Sequence, residues 1–147
     1  MDKDLSRPPL PGAGRRYIST AGIAQKGDAY FVALRKPGAN LGILWEFPGG
    51  KAEEGESPQT ALSREYREEF TAEITVGEEL FEGAFCSKDK DYLLKVYRIE
   101  FLSSPEDFVL TEHSEYRWAD RKALEILDFA PSDGMIRDFL LGRGGGN

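Results

Sequence analysis

The sequence holds one cysteine and one histidine in 147 residues. A lone Cys86 excludes an internal disulfide and a cysteine-built zinc cluster. No histidine lies close to it in sequence to activate it, so Cys86 is expected to be a small, half-buried residue between strands. No apolar run approaches the ~20 residues needed to span a bilayer, so no membrane association is expected. A basic stripe is missing too: 19 Lys and Arg stand against 26 Asp and Glu, a net charge of −7. Stable nucleic-acid binding is therefore not expected. An acidic chain can still hold a polyanion when a divalent cation lies between them. Cysteine usage fits a reducing compartment, and the expectation is cytoplasmic.

What is present suits one soluble domain, with 40% apolar and 31% charged residues. Met1 to Gly14 is polar and rich in Pro and Gly, without the apolar core of a signal peptide. It reads as a flexible arm, and residues 142–147 read as a flexible glycine tail, leaving 15–141 as the domain.

Strands are expected at 17–26 and 29–34 around a Gly27-Asp28 turn, then at 45–47, 74–76, 80–86, 92–101 and 115–118. Residues 35–42 and 103–108 read as loops, and Asp89 to Asp91 as a charged hairpin tip. Ser57 to Phe70 is the clearest helix. Ser57 can cap it, Pro58 suits its first turn, and Leu62, Tyr66 and Phe70 form an apolar stripe. Two more helices are expected at 120–127 and 132–141, the last with Met135, Ile136, Phe139 and Leu140 on its apolar side. This order suggests an α+β or layered α/β/α domain with a mixed β-sheet.

On the main helix Glu65, Glu68 and Glu69 stand at i, i+3 and i+4, which places three carboxylates on one face. One reading is a solvated acidic face partnered by Arg64, Arg67 and Lys51. The other is a site for a hard divalent cation, Mg²⁺ or Mn²⁺, completed by substrate phosphates and water. The preceding Gly49-Gly50 turn favours the second, since backbone can approach a ligand closely there and a glycine carbonyl can add an oxygen ligand. Glu56 and Arg64 are placed to pair and fasten that loop to the helix.

The segment resembles the Nudix signature, G-x5-E-x7-R-E-U-x-E-E-x-G-U with U a bulky apolar residue. Gly50, Glu56, Arg64-Glu65, Glu68-Glu69 fall at its charged and early positions. Tyr66, Thr71 and Ala72 depart from it. Thr71 replaces the last glycine, so the helix is expected to end without a left-handed glycine cap. The resemblance implies an α/β/α sandwich with a mixed β-sheet and hydrolysis at phosphorus by metal-activated water. It implies that Glu65, Glu68, Glu69 and the Gly49 carbonyl bind metal, and that Glu56 with Arg64 orders the motif.

Trp45-Glu46-Phe47-Pro48-Gly49-Gly50-Lys51 is similar to the MutT-like subgroup, which includes 8-oxo-dGTP diphosphatases and CTP-type pyrophosphohydrolases. By that likeness Arg35 and Lys51 are candidate phosphate contacts, and Glu112, six residues before Trp118, is a further metal ligand or general base. Surface charge at a strand end and plain loop solvation are the alternatives for Arg35 and Glu112. His113 is read as an uninvolved loop residue, and Trp118 as core. Asp133 occupies the place where an Asn or Asp of this subgroup contacts the base; ionised, it would accept from N–H groups of cytosine or guanine. Its alternative, shared with Ser132, is to cap the last helix.

The expected activity is Mg²⁺-dependent hydrolysis of a nucleoside triphosphate to the monophosphate and pyrophosphate, by a monomer or homodimer. Hydrolysis of ADP-ribose or a nucleotide-sugar is a second reading. A nucleotide-binding Nudix module without turnover is a third, disfavoured because every box glutamate is present.

Overall fold

A computed structural model describes residues 16–37 and 44–143. The expected arm at 1–14 and most of the loop at 35–42 and the glycine tail lie outside the described residues. The elements run β1 (Tyr17–Ile23), β2 (Gln25–Lys26), β3 (Ala29–Arg35), β4 (Trp45–Glu46), α1 (Pro58–Phe70), β5 (Ile74–Ser87) and β6 (Lys90–Phe101). A 3₁₀ turn (Pro105–Asp107), β7 (His113–Ala119), α2 (Arg121–Ile126) and α3 (Pro131–Leu140) follow.

The strands make two sheets among the described residues. In the first, β6 lies between a parallel β1 and an antiparallel β5. In the second, β3 is flanked by β4 and β7, with β2 paired to its start, all antiparallel. The mixed character expected of one sheet thus resides in the three-stranded one.

Strand alternation sorts side chains onto two faces. Val32, Leu94 and Val96 enter one core cluster with Leu124 of α2 and Ile136 of α3. Phe31, Ala33, Tyr97 and Ile99 enter the other with Leu62, Tyr66 and Phe70 of α1. Helices therefore cover both faces, the layered α/β/α arrangement that the element order suggested. The α1 stripe is as expected: Leu62, Tyr66 and Phe70 are all 0% exposed. Trp118 is half-buried at the edge of this second cluster.

Local differences have local causes. The strands expected at 74–76 and 80–86 are one strand, β5, whose pairing with β6 shifts register between Val76 and Phe81. Such bulges kink a strand without ending it, and the Gly-Glu-Glu interruption in sequence mimics a loop. The hairpin tip is narrower than expected. Lys88 and Asp89 turn with positive φ (51° and 66°), while Asp91 is already buried in β6. Cys86 is exposed, not half-buried, because it lies next to that tip.

The helix caps divide. Ser57 accepts from the Thr60 N–H at 3.1 Å, as its position suggested. Thr71 takes up the left-handed conformation itself (φ 55°) and its N–H bonds back to Arg67 and Tyr66 carbonyls, so the helix keeps a left-handed end without glycine. Asp120 caps α2 through the Ala123 N–H. Neither Ser132 nor Asp133 caps α3: its N-cap is Ala130, and both residues lie inside the first turn.

Candidate functional site

The site is assembled where the Gly49-Gly50 turn, the C-terminal half of α1, the end of β4 and the start of β7 meet. The turn is stitched to β1 on alternate residues. Gly22 N–H donates to the Pro48 carbonyl at 2.9 Å and Thr20 N–H to the Gly50 carbonyl at 2.7 Å. Alternate carbonyls of an extended segment point to opposite sides, which turns the Gly49 carbonyl away from β1. Gly49 is obligatory against backbone, and a side chain at Gly50 would displace the Glu65 carboxylate. A Cβ on Gly49 would lie 2.1 Å from the Thr20 carbonyl oxygen, and one on Gly50 would lie 2.3 Å from Glu65 Cδ. The backbone and the Glu65 carboxylate are thus in direct apposition.

Arg64 fastens the loop before the helix. Its Nε donates to Glu56 Oε2 at 2.8 Å, and Nη2 donates to Glu56 Oε1 at 2.9 Å and the Lys51 carbonyl at 3.1 Å. This fork lowers the Glu56 carboxyl to about 2, through the Arg64 hydrogen bond and then the Glu53 N–H. The same guanidinium reaches Glu65 at 3.2 Å and Glu68 at 3.1 Å. The pairing of Glu56 with Arg64 read from spacing is therefore present.

The three helix glutamates are not equivalent. Glu69 is 6% exposed, and its Oε1 has no hydrogen-bond partner. Burial, then a hydrogen bond shared with Glu65, then the charges of Glu46, Glu65 and Glu112 push its carboxyl up to about 10. Glu65 is half-buried beside it, whereas Glu68 stays exposed in its Arg64 ion pair. Sequence spacing put all three on one face; the structure draws Glu65 and Glu69 together and leaves Glu68 at the rim.

Two residues join them that spacing alone did not single out. Glu46 of β4 and His113 of β7 have ligand atoms within 4.8 Å of one another and of Glu69. His113 is not a loop residue: it opens β7, is 1% exposed, stacks on Phe70 at 5.0 Å, and has Nε2 2.6 Å from Glu46 Oε2. Antiparallel pairing explains the meeting, since Ala33 faces Glu46 and Arg35 faces His113 across β3. Only that register, set by residues far apart in sequence, reveals the pair.

Arg35 sits at the end of β3. Its Nη1 donates to both Glu46 oxygens at 3.1 and 3.2 Å, and its Nη2 lies 3.7 Å from the exposed Glu112. A cleft of about 170 Å³ is lined by Arg35, Glu46, Gly49, Lys51, Ser132 and Asp133, among others. Lys51 places its ammonium 5.1 Å above the Tyr92 ring. Asp133 is buried, and its Oδ1 accepts the Phe47 N–H at 2.9 Å. Burial and then Glu46 push its carboxyl well above the usual carboxylate range.

The donor set fits a hard divalent cation. Carboxylates at Glu65 and Glu69 converge, one buried oxygen lacks a partner, and the glycine turn lies directly against Glu65. A buried carboxyl in this state is costly to ionise alone and is relieved by a cation.

Residues 16–139 match the NUDIX domain family. A relative named putative 8-oxo-dGTP diphosphatase 2, from Mycobacterium tuberculosis, is 31% identical over 125 residues, 82% of this chain and 86% of its own. A CTP pyrophosphohydrolase of Escherichia coli is 45% identical over 58 residues, 40% of this chain and 43% of that protein. The solution structure of the E. coli ORF135 protein superposes with a TM-score of 0.78 at 28% identity, covering 92% of this chain and 94% of that one. With the signature's charged residues assembled as described and the family match spanning both sheets, the chain belongs to the Nudix hydrolase family.

Proposed function

We propose that the protein is a Mg²⁺-dependent nucleoside triphosphate pyrophosphohydrolase acting on 8-oxo-dGTP or on CTP and modified dCTP, a nucleotide-pool sanitation activity. The observation that carries the reading is the buried Glu69 carboxyl, with an unpartnered oxygen, beside Glu65 at the glycine turn. Glu65, Glu68, Glu69 and the Gly49 carbonyl would hold the cation, with Glu112 a further ligand or base from the rim. Bound there, the cation supplies charge neutralisation for phosphate oxygens and makes water more acidic.

The chain's own residues position the reactants. Arg64 with Glu56 keeps the turn against α1. Arg35 and Lys51 line the cleft with cationic groups for the phosphate chain. Asp133, which lines the same cleft, would offer its carboxyl to the base. In the reaction a water oxygen bonds to the α- or β-phosphorus, the α–β bridging P–O bond breaks with its pair going to the departing phosphate oxygen, and monophosphate and pyrophosphate result. A carboxylate of the site takes the water's proton. The named relatives divide between an oxidised purine and a pyrimidine triphosphate; a guanine-type base presents a ring N–H and an amino group to an acceptor, and cytosine its amino group.

The test is pyrophosphate release from 8-oxo-dGTP, dGTP, CTP, dCTP, 5-methyl-dCTP and ADP-ribose, with Mg²⁺ and with chelator. The account expects Mg²⁺-dependent pyrophosphate from a triphosphate, and preference for ADP-ribose would overturn it.

A further inference from the structure

Buried polar side chains are normally satisfied, and the fully buried His113 has a specific partner on one nitrogen only. Its Nε2 lies 2.6 Å from Glu46 Oε2, while Nδ1 is buried with no partner. An ionised carboxylate can only accept, so a neutral ring in this geometry carries its proton on Nε2. The ring is locked by stacking on Phe70 of α1 at 5.0 Å and an interplanar angle of 13°. Its partner is gripped from a second direction, where Arg35 Nη1 donates to both Glu46 oxygens. Arg35 in turn reaches Glu112, and Glu46 lies against Glu69. One rigid imidazole therefore stands behind a chain of charged groups that ends on both acidic edges of the site.

We propose that His113 is a positioning residue for the metal–phosphate site: through its Nε2–H it fixes Glu46, which braces Arg35 and Glu112 on one side and faces the buried Glu69 on the other. Glu46 is 12% exposed at the side chain and lines the cleft, so its rotamer sets where Arg35 can point. Without the histidine bond, Glu46 is held only by the exposed Arg35, so the pair loses its buried anchor and Arg35 no longer presents a fixed partner to Glu112. The role rests on the proposed reading of the site as a cation site, and its tests are chosen to be separable from that reading.

The sole histidine makes the first test unambiguous. In ¹⁵N-resolved imidazole NMR of the metal-free protein, the ring should show one protonated nitrogen at Nε2 and an unprotonated Nδ1. In Glu46→Ala that single-tautomer pattern should give way to an averaged or exchanging one. A proton on Nδ1 in the wild type, or an Nε2–H indifferent to Glu46→Ala, overturns the proposal. This readout needs no substrate, so it stands apart from any failure to find turnover.

The second test uses His113→Phe, which keeps the stack without the donor, and His113→Gln, which returns an N–H near the Nε2 position. Mn²⁺ affinity by electron paramagnetic resonance should weaken roughly 10-fold in His113→Phe and recover largely in His113→Gln. Turnover of the best substrate should follow through kcat more than through KM. Wild-type Mn²⁺ affinity in a folded His113→Phe overturns the role. If His113→Phe does not fold, His113→Gln decides: wild-type Mn²⁺ affinity supports it, and loss as complete as in Glu69→Gln contradicts it.

Discussion

The backbone N–H of Phe47 donates to Asp133 Oδ1 at 2.9 Å, joining residues 86 positions apart. This bond ties the strand that leads into the glycine turn to the helix that closes the domain. It also changes what Asp133 can offer. Its carboxyl is pushed well above the usual range by burial and by Glu46. The protonated form keeps an acceptor for Phe47 and gains an O–H donor. Asp133→Asn keeps the acceptor for Phe47 but replaces a carboxyl that can accept from the base with an amide that always donates. It should fold normally, keep its Mg²⁺ dependence, and shift kcat/KM between purine and pyrimidine triphosphates. A steady-state panel checks this, and equal loss on every substrate with a lowered Tm would reduce Asp133 to a strut.

Glu69→Gln should cut turnover by at least about 100-fold while leaving circular dichroism unchanged. It should also change the pH dependence of stability. The folded carboxyl at about 10 lies above its ordinary value of 4.5, so the native state keeps a proton the unfolded chain has lost. Stability of metal-free wild type should therefore fall as pH rises from 4.5 toward 10. Thermal melts in chelator between pH 5 and 9 check this. The variant should lack that component of the slope, and Mg²⁺ should raise the wild-type Tm most at the alkaline end.

Glu56 behaves in the opposite sense. Its carboxyl is held down to about 2 by Arg64, below the ordinary 4.5. Its contribution is present above 4.5 and is lost as pH falls toward 2. Glu56→Gln should lower Tm at pH 7 and converge on wild type near pH 2. It should raise the Mg²⁺ requirement as the turn loosens from α1. Identical melts at pH 7 would show that the fork does not hold the loop.

Thr71 ends α1 at φ 55°, where a side chain costs roughly 1–2 kcal/mol and glycine does not. Glycine loses roughly 0.5–1 kcal/mol more backbone freedom on folding. Thr71→Gly should stabilise the protein by about 0.5–1 kcal/mol, seen as a raised denaturant midpoint with unchanged kcat. A lower midpoint would mean that threonine makes contacts worth more than its strain.

Local features were legible in the sequence. The Ser57 cap, the Leu62–Tyr66–Phe70 stripe and the Glu56–Arg64 pair depend on spacings within one helix and its loop. Features that depend on strand register were not. Glu46 and His113 are 67 positions apart and meet only because both flank β3. The burial of Glu69 against the exposure of Glu68 was hidden too, since neighbouring glutamates look alike until β7 packs beside one of them. At α3 the cap residues Ser132 and Asp133 matched the usual preference, yet Pro131 starts the helix earlier and frees Asp133 to reach Phe47.

The measurement that bears most directly on the central claim is pyrophosphate release from the triphosphate panel by wild type and Glu69→Gln, each with Mg²⁺ and with chelator. The account predicts pyrophosphate and monophosphate from at least one triphosphate with wild type and Mg²⁺ only. Measurable nucleotide binding without turnover, or turnover that survives both chelator and Glu69→Gln, would contradict it.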